Sequence, residues 1–584
     1  MGTSPFRVSD IKGLTPGVDP ARSNEQFVLN GKNYIFDSLG PKSAFGDRFL
    51  LPQPIPDPSH MQGIRLKLRS GDRCFTMTNQ GIFNWDEDAG GWRLIYRTLD
   101  TSTTPYRWTW GYLAGIMFFN HPLTGIIFYD VENEYAARLE GDGVPTEVLA
   151  ICVNNGRVVA MGPEWYSWSA QSDGSNWAPA VGGPGQQKIN SRVPGYPIMV
   201  TPFVRGVMTW TTGGVMRSEF TGDVEVWRHR SLNTEYRPVN SFCSLQLDDD
   251  TALILDERGL FQSKGEGPVP FAPLFNEFLI RYLQDNNIRV GQNVRLEWDE
   301  LRRLLFVSIS LSRYDPLYEK CFVLYPPMDK WGQFDTPHYG IFPLRIDGSE
   351  RADDFYGFVG EDRLVRTWTD TGSVETLPSD TTLNLFYPLI QKPFEQEAGG
   401  EFLTLSSTMV FNTYNDILTT QRASYYPYDG TSPEEPVLAG LDAHIQVGFF
   451  RGGEGVSMDE CIELSQILVR SNLSGEEDRI SLNFALDPPD VPDTDYEAEG
   501  TDDNFGVDDI NYVNHQLRVI ASNDGVTQFT ETVPELVGFA KAARFYSCSI
   551  VGVWHIIEFR AETVGEAFHV QTLELTGAGA GRLL

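Results

Sequence analysis

The sequence predicts an all-β protein: a β-propeller, then a β-sandwich-like platform domain, with one short inserted helix. Three observations predict it. Short apolar segments alternate with turn residues throughout residues 61–375, 55 of the 584 residues are glycine, and twelve of the thirteen tryptophans lie between Trp85 and Trp368. Short strands at regular spacing with a recurring aromatic residue are typical of propeller blades. Two stacked sandwiches are the alternative arrangement of the same strands.

The clearest unit of this pattern is the stretch Ile151–Trp177. An apolar strand reaches Asn154-Asn155-Gly156, where Asn and Gly readily adopt the positive φ of a tight hairpin turn. A return strand, Arg157–Met161, ends at Gly162-Pro163, and a third segment around Trp165–Ser169 alternates its side chains between two faces. We expect two successive hairpins that end at an aromatic residue.

The same pattern recurs in further hairpins of the propeller region, with strands at Gly81–Trp85 and Trp92–Tyr96, Val207–Trp210, Ala252–Leu255 and Leu260-Phe261, Val294–Trp298 and Leu304–Ile309, Cys321–Tyr325, and Phe355–Val359. At the usual repeat length, residues 61–375 would form about six or seven blades. Helical periodicity predicts one helix, Pro273–Asn286, inserted between blades. Its apolar face is predicted to hold Leu274, Phe278, Leu279, Tyr282 and Leu283.

Two further regions flank the propeller. Residues 1–60 are predicted to form an N-terminal arm that packs on the platform domain, with a hairpin around Asn30-Gly31. A disordered tail is the alternative, but the aromatic residues of the segment argue for burial. Residues 376–584 are assigned to the platform domain because longer strands alternate cleanly there, for example 443–449 and 480–486. An acidic loop at 487–509 interrupts them.

The net charge of −33 is unevenly distributed. Residues 376–584 hold 33 acids and 10 bases, a net of −23, which leaves 46 acids and 36 bases, a net of −10, for residues 1–375. The loop 487–509 carries ten acids and neither Lys nor Arg. Nucleic-acid binders concentrate positive charge against the phosphates, so this composition argues against tight binding of DNA or RNA.

Other features of the sequence bear on the cellular compartment in which the protein is made. Residues 1–10 lack the apolar core of a secretory signal, and runs such as Tyr112–Phe119 are too short to span a bilayer. We therefore expect a protein made in a cytoplasm without membrane anchoring. The six cysteines lie far apart in the sequence, which favours reduced thiols in the core over disulfides or a metal site.

The sequence contains none of the common catalytic, phosphate-binding or zinc-binding motifs. We therefore predict no catalytic, cofactor-binding or metal-binding residue and no enzymatic activity. Asp493, Asp495, Glu497 and Glu499 alternate as Ca²⁺ ligands can, but Ala498 stands where an EF-hand needs glycine. A solvated acidic loop is the favoured interpretation. Asp173-Gly174-Ser175-Asn176-Trp177 resembles the end of a sialidase-type Asp box, which indicates hairpin geometry rather than catalysis.

Several segments together resemble the tail nozzle proteins (tail tubular protein B, or packaged-DNA stabilisation proteins) of short-tailed bacteriophages. The resemblance spans about residues 30–584. It rests on Asn155-Gly156-Arg157-Val158, Trp168-Ser169, Asp173…Trp177, Leu296-Glu297-Trp298-Asp299, Leu305-Phe306-Val307, Tyr325…Trp331, Trp554-His555-Ile556-Ile557-Glu558-Phe559, Phe568 and Leu573-Glu574-Leu575.

The resemblance implies a virion protein of the tail, assembled in the host bacterial cytoplasm. A homohexameric ring below portal and adaptor would conduct the genome during ejection and anchor fibres or tailspikes. Genomic DNA would only pass through, and acidic walls would repel its phosphates. We therefore expect channel-lining acids among the residues of the acidic loop, namely Asp493, Asp495, Glu497, Glu499, Asp502 and Asp503. A solvated outer loop is the alternative for these acids.

The alternative function is a glycan-binding or glycan-cleaving β-propeller of sialidase type. A glycan-cleaving enzyme predicts paired carboxylates in one pocket with aromatic platforms, whereas a nozzle predicts carboxylates spread along a channel.

Overall fold

The structure is a computed structural model of the 584-residue chain. It describes the residues between 6 and 582 outside the following gaps: 9–10, 15–26, 45, 50–53, 56–61, 69–70, 80, 87–90, 99–105, 181–182, 190–194, 222–226, 265–266, 301, 313–316, 344–355, 361–362, 370–372, 377–436, 441, 451–459, 471–515, 523–527, 534, 540–542, 553, 562–567 and 571.

The N-terminal arm contributes six short strands. They are β1 (Phe6–Val8), β2 (Lys12–Leu14), β3 (Phe27–Lys32), β4 (Tyr34–Phe36), β5 (Pro41–Ser43) and β6 (Gly46–Phe49). Each of them pairs with, or extends, a sheet whose other strands lie hundreds of residues later in the chain.

Strands β7 to β33 follow as a series of antiparallel meanders. Blade one holds β7 (Gln62–Leu68), β8 (Gly71–Met77), β9 (Gly81–Asp86) and β10 (Gly91–Arg97); blade two β11 (Thr109–Leu113), β12 (Ile116–His121), β13 (Gly125–Asp130) and β14 (Tyr135–Arg138). Blade three holds β15 (Ala150–Asn154), β16 (Arg157–Met161), β17 (Trp165–Trp168) and β18 (Gly185–Lys188); blade four β19 (Pro197–Phe203), β20 (Gly206–Thr211), β21 (Gly214–Phe220) and β22 (Trp227–Asn233).

The last three blades continue the series. Blade five holds β23 (Ser244–Gln246), β24 (Ala252–Asp256), β25 (Gly259–Ser263) and β26 (Pro268–Pro270); blade six β27 (Val294–Asp299), β28 (Leu304–Ile309), β29 (Lys320–Tyr325) and β30 (Lys330–Phe334); blade seven β31 (His338–Pro343), β32 (Tyr356–Gly360) and β33 (Val365–Thr369). The described residues thus form a seven-bladed β-propeller.

Blade seven obtains its fourth strand from the arm. β6 pairs antiparallel with β33, so that Asp47 lies opposite Trp368 and Gly46 opposite Thr369. The Asp47 carboxylate accepts a hydrogen bond from Arg366, and both side chains are buried. The first strand of blade seven, β31, contacts the first strand of blade one, β7. The propeller is therefore closed by β6, which precedes blade one in the sequence and completes blade seven.

The arm also links the propeller to the C-terminal strands. β4 pairs with β30 and extends blade six, whereas β3 pairs with β36 (Ala443–Phe450). A single hydrophobic cluster runs from Leu305 of blade six through Tyr34 of the arm to Ile445 of β36. Burial of this continuous apolar surface joins the two regions, because removal of the arm would expose apolar side chains of both regions to water.

The remaining strands are β34 (Ser373–Thr376), β35 (Val437–Gly440), β37 (Glu460–Arg470), β38 (Gln516–Ser522), β39 (Gln528–Val533), β40 (Glu535–Phe539), β41 (Ala543–Gly552), β42 (Trp554–Ala561) and β43 (Thr572–Arg582). β34 and β35 extend blade seven beyond β6. The others form a five-stranded sheet, β1-β43-β37-β41-β40, and a six-stranded sheet, β2-β3-β36-β42-β38-β39. The two sheets touch where β41 meets β38 and β39.

Within the described residues there are two α-helices, α1 (Pro273–Asp285) and the single turn α2 (Val290–Asn293), and two 3₁₀ turns, Ser241–Cys243 and Pro326–Met328. The prediction of a helix between blades is confirmed, since α1 lies between blades five and six. Its predicted face was wrong at one position: Leu274 is 62% exposed and Phe275 is buried instead. Phe275, Leu279 and Leu283 repeat at i, i+4 and i+8, which sets the buried stripe.

The predicted propeller hairpins are confirmed; Trp85, for example, lies opposite Trp92. The predicted hairpin around Asn30-Gly31 was wrong, because β3 runs straight through both residues and pairs with β36. Asn30 sits at a bulge, and its side-chain oxygen accepts the Gly31 N–H at 2.9 Å. The predicted alternation is confirmed over 443–447, where Ala443, Ile445 and Val447 are buried. The side chain of Phe449 and the segment 480–486 lie outside the described residues.

Candidate functional site

The six acids predicted to line a channel all fall within residues 471–515, outside the described part of the chain. They are Asp493, Asp495, Glu497, Glu499, Asp502 and Asp503. Their expected location stays a prediction. Residues around the axis of the propeller, by contrast, are described.

The first strands of the blades lie innermost, since β11 contacts β15, β15 contacts β19, and β27 contacts both β23 and β31. Arg107 lies two residues before β11, at the entry to blade two. Its backbone N–H donates to Ser241 Oγ at 2.6 Å, and its Nη2 donates to Leu296 O at 2.9 Å. Ser241 leads into blade five and Leu296 belongs to blade six. The connection into blade two thus reaches the opposite side of the ring of blades.

A buried charge cluster completes this crossing. Glu297 Oε1 lies 3.1 Å from Arg107 Nη2 and 2.9 Å from Arg295 Nη2. Arg295, 1% exposed, also donates to Ile341 O of blade seven at 3.3 Å. The ring of Phe242 lies beneath both guanidinium groups, at 5.2 and 4.9 Å.

Burying a guanidinium group is costly unless it is paired and hydrogen-bonded. The partners of the two arginines include the Glu297 carboxylate, the Phe242 ring and backbone carbonyl groups, among them Ser241 O, 3.3 Å from Arg107 Nε. Side chains therefore fill the axis at this level. These contacts link blades two, five, six and seven to one another near the axis.

A second polar network joins blades three and four. Tyr166 Oη lies 2.7 Å from Ser218 Oγ and 3.0 Å from Thr209 Oγ1, and Ser218 Oγ lies 2.8 Å from His229 Nδ1. Burial lowers the pKa of His229 to about 4, so its ring is neutral at pH 7. A serine next to a neutral histidine resembles a hydrolytic pair.

The surroundings of this pair favour a packing role. Ser218 is fully buried, and the ring of Tyr166 stacks on His229 with centroids 4.9 Å apart. A nucleophile must reach its substrate, and Ser218 could do so only if blades three and four separated. Sequence reasoning missed this network, because Ser218 and His229 meet across a strand pair and form no local motif.

The Asp-box-like segment forms a tight turn after β17. Asp173 Oδ1 accepts hydrogen bonds from Ser175 N at 3.0 Å and Ser175 Oγ at 2.6 Å, and Trp177 Nε1 donates to Gly174 O at 2.8 Å. The Ser175 hydroxyl bond is the largest reason that the pKa of Asp173 is lowered. These contacts hold a hairpin turn together, in agreement with its interpretation as a structural feature.

The described residues contain no cluster of three or more His, Cys, Asp or Glu side chains that could hold a metal ion. Among them, no helix has the length and apolar character to cross a membrane. The prediction of core thiols is confirmed for Cys152, Cys243 and Cys321, which are buried, whereas Cys74 is half-buried and the side chains of Cys461 and Cys548 lie outside the described residues. Burial raises the pKa of Cys243 and of Cys321 to about 12.

No family model matches the sequence, and no curated protein matches it. Among solved structures, the chain is similar to the computationally designed Ika8 protein (TM-score 0.29, 10% identity, 52% of this chain and 94% of that one). It is also similar to the Myceliophteria thermophila Cps50 (Swd1) β-propeller domain, with a TM-score of 0.34 and 9% identity over 55% of this chain and 99% of that one. A third similar structure is the extracellular domain of the one-component system BT4673 from B. thetaiotaomicron, with a TM-score of 0.35 and 12% identity over 59% of this chain and 43% of that one.

Proposed function

We propose that this chain is the tail nozzle protein of a short-tailed, podovirus-like bacteriophage. In this role a homohexameric ring continues the DNA channel below portal and adaptor. The ring retains the packaged genome, conducts it during ejection and anchors fibres or tailspikes on its flank. The chain acts as a structural part of the virion and has no enzymatic activity of its own.

The observation that carries the proposal is the way the arm binds the two regions into one piece. β6 closes blade seven, β4 extends blade six, and β3 pairs with β36 in the C-terminal sheet. A subunit that retains pressurised DNA must transmit force without its regions separating. A shared hydrophobic cluster and strands exchanged across the sequence serve that need.

Two further observations support the proposal. The filled axis around Arg295 and Glu297 is consistent with a conduit formed between subunits. The segments that resemble nozzle proteins lie in both regions, for example in the β27–β28 hairpin and in β42. The net charge of −33 would keep phosphates from adhering to a channel wall.

Electron microscopy of the purified protein mixed with its adaptor and portal tests the proposal directly. We expect rings, six subunits around, with a central opening wide enough for duplex DNA. Assembly should be favoured by salt or Mg²⁺, because the acidic subunits repel one another. Absence of rings on the adaptor template, or rings without an axial opening, would contradict it. Release of product from sialosides or bacterial polysaccharide would instead favour the glycan-cleaving alternative.

A further inference from the structure

A cleft of about 510 Å³ lies between blades three and four, on the face that carries the β15–β16 and β19–β20 turns. Both turns are tight, and Asn155 adopts φ 50° as the sequence predicts. The cleft is lined by Asn155, Arg157, Gln171, Val204, Arg205, Glu219, Phe220, Thr221 and Arg228.

Positive charge dominates the described lining although the whole chain carries −33. Arg205 and Arg228 are exposed, and Arg157 is half-buried and held by a hydrogen bond from its Nη1 to Ser169 O at 2.8 Å. The carboxylate of the lining, Glu219, already pairs with Nε of Arg217 at 3.2 Å. Among the described lining residues, three arginines therefore stand against one carboxylate, which already pairs with Arg217.

The other lining groups match the rest of a sugar. Asn155 and Gln171 offer amide donors and acceptors, and Thr221 offers a hydroxyl. Phe220 and Val204 supply apolar surface of the kind that packs against the C–H face of a pyranose ring. Guanidinium forks bind carboxylates in a bidentate geometry that a lysine cannot reproduce.

We infer that this cleft binds a carboxylate-bearing sugar of an acidic glycan. Its volume is typical of a small-ligand site, on the order of 300–1,000 Å³, and suits one or two sugar rings. A short ligand depends mainly on the residues that line the cleft, because screening at physiological salt weakens charges beyond about 8 Å. A long nucleic acid would meet the negative field of the whole protein. This inference is independent of the proposed function.

Calorimetric titration with trigalacturonate, a carboxylated trisaccharide, tests the inference, and its methyl ester serves as the neutral ligand of the same shape. We expect binding of the acid and none of the ester. Arg205→Gln and Arg228→Gln should each weaken binding about tenfold, the loss expected for one charge-assisted hydrogen bond in a partly exposed site. Arg228→Lys should fall between wild type and Arg228→Gln if the fork geometry matters.

Arg281→Gln is the matched control, because Arg281 is an arginine of 84% side-chain exposure on α1 and does not line the cleft. All four variants change exposed side chains, so circular dichroism should be unaltered. Failure of trigalacturonate to bind at millimolar concentration would overturn the inference, as would equal weakening by Arg281→Gln. Inorganic phosphate or tetraglutamate binding as tightly as trigalacturonate would overturn the assignment to a sugar.

Discussion

Arg107 and Glu297 form an ion pair, 3.1 Å from Nη2 to Oε1, across 190 residues of sequence. The pair connects the segment before β11 of blade two to β27, the first strand of blade six. The pairing of β6 with β33 in blade seven and this ion pair near the axis both join parts of the propeller that are distant in sequence.

Replacing Glu297 with Gln should destabilise the propeller strongly. Arg107 and Arg295 would keep their charges in a buried site without a counter-charge, a situation that costs about 3–5 kcal/mol. Urea denaturation followed by tryptophan fluorescence measures the loss, since twelve of the thirteen tryptophans lie in the propeller. Glu277→Gln on the exposed face of α1 is the control. Equal midpoints for the two variants would refute the importance of the cluster.

The stability of the propeller should decrease in mild acid because of His338. This residue is fully buried, Nδ1 lies 3.1 Å from Thr336 O and Nε2 lies 3.0 Å from Ser308 Oγ, and burial lowers its pKa to about 4. His338 is protonated near pH 6.5 in the unfolded chain but only near pH 4 in the folded chain. Stability is therefore complete above pH 6.5 and is lost as the pH falls through this window.

A His338→Gln variant isolates this contribution. Between pH 7.0 and pH 4.5 it should lose about 2–3 kcal/mol less unfolding free energy than the wild type, from 1.36 kcal/mol per pKa unit. Denaturant midpoints at the two pH values measure the difference. His229 acts in the same window and remains in both proteins, so it cancels. A pH dependence identical in variant and wild type would show that His338 does not cause it.

A disulfide between β6 and β33 should stabilise the closed ring. Gly46 and Thr369 lie directly opposite each other in the antiparallel pair, so Gly46→Cys with Thr369→Cys places two thiols in register. A cross-link closing so long a loop restricts the unfolded chain and adds about 3–5 kcal/mol at most. The melting temperature of the oxidised double variant should exceed that of its reduced form. Gly46→Cys alone should show no such difference.

Gly174→Ala should destabilise blade three. A Cβ at position 174 would lie 2.2 Å from Cζ of Phe118, a fully buried ring of blade two. Overpacking of this kind costs about 1–3 kcal/mol. Thermal unfolding measures it, with Gly183→Ala as the control because its new Cβ would meet no atom closer than 3.2 Å. A melting temperature unchanged by Gly174→Ala would mean that the two blades can separate at this contact.

Lysines in the acidic loop should slow genome ejection if the loop lines or rims the channel. The variant replaces Asp493, Asp495, Glu497, Glu499, Asp502 and Asp503. New phosphate contacts would each steepen the salt dependence of DNA binding by about one unit. Ejection rates of assembled virions at low and high salt measure the effect. Asn and Gln at the same positions remove the acids without creating contacts, and normal ejection by the lysine variant would place the loop away from the DNA.

Local sequence features predicted the local structure well. A positive-φ turn at Asn155-Gly156 and alternating apolar residues determine a hairpin and its register together, so β15 and β16 followed from the sequence. The β9–β10 hairpin and α1 followed for similar reasons. These elements carry their own turn residues or periodicity, and no distant partner is needed to define them.

Distant pairings were not predictable in the same way. β6 has four residues, too few for an alternation that could identify β33 as its partner. Asn30-Gly31 looked like a hairpin because turn residues also occur at bulges. The same limit applies to the sites. Arg107 reaches Glu297, and Arg157 of blade three comes to line one cleft with Arg205 of blade four, only once the blades stand side by side. No single stretch of sequence contains either arrangement.

The arm is synthesised first, but the strands that pair with it are synthesised much later. β6 cannot find β33 until residue 369 has left the ribosome, and β3 must wait for β36, which ends at residue 450. At about 5–20 residues per second, the arm emerges tens of seconds before its partners. Its unpaired strand edges are available for association with other nascent chains throughout that interval. Production of soluble subunits should therefore respond to growth temperature and chaperone supply more than the stability of the finished protein suggests.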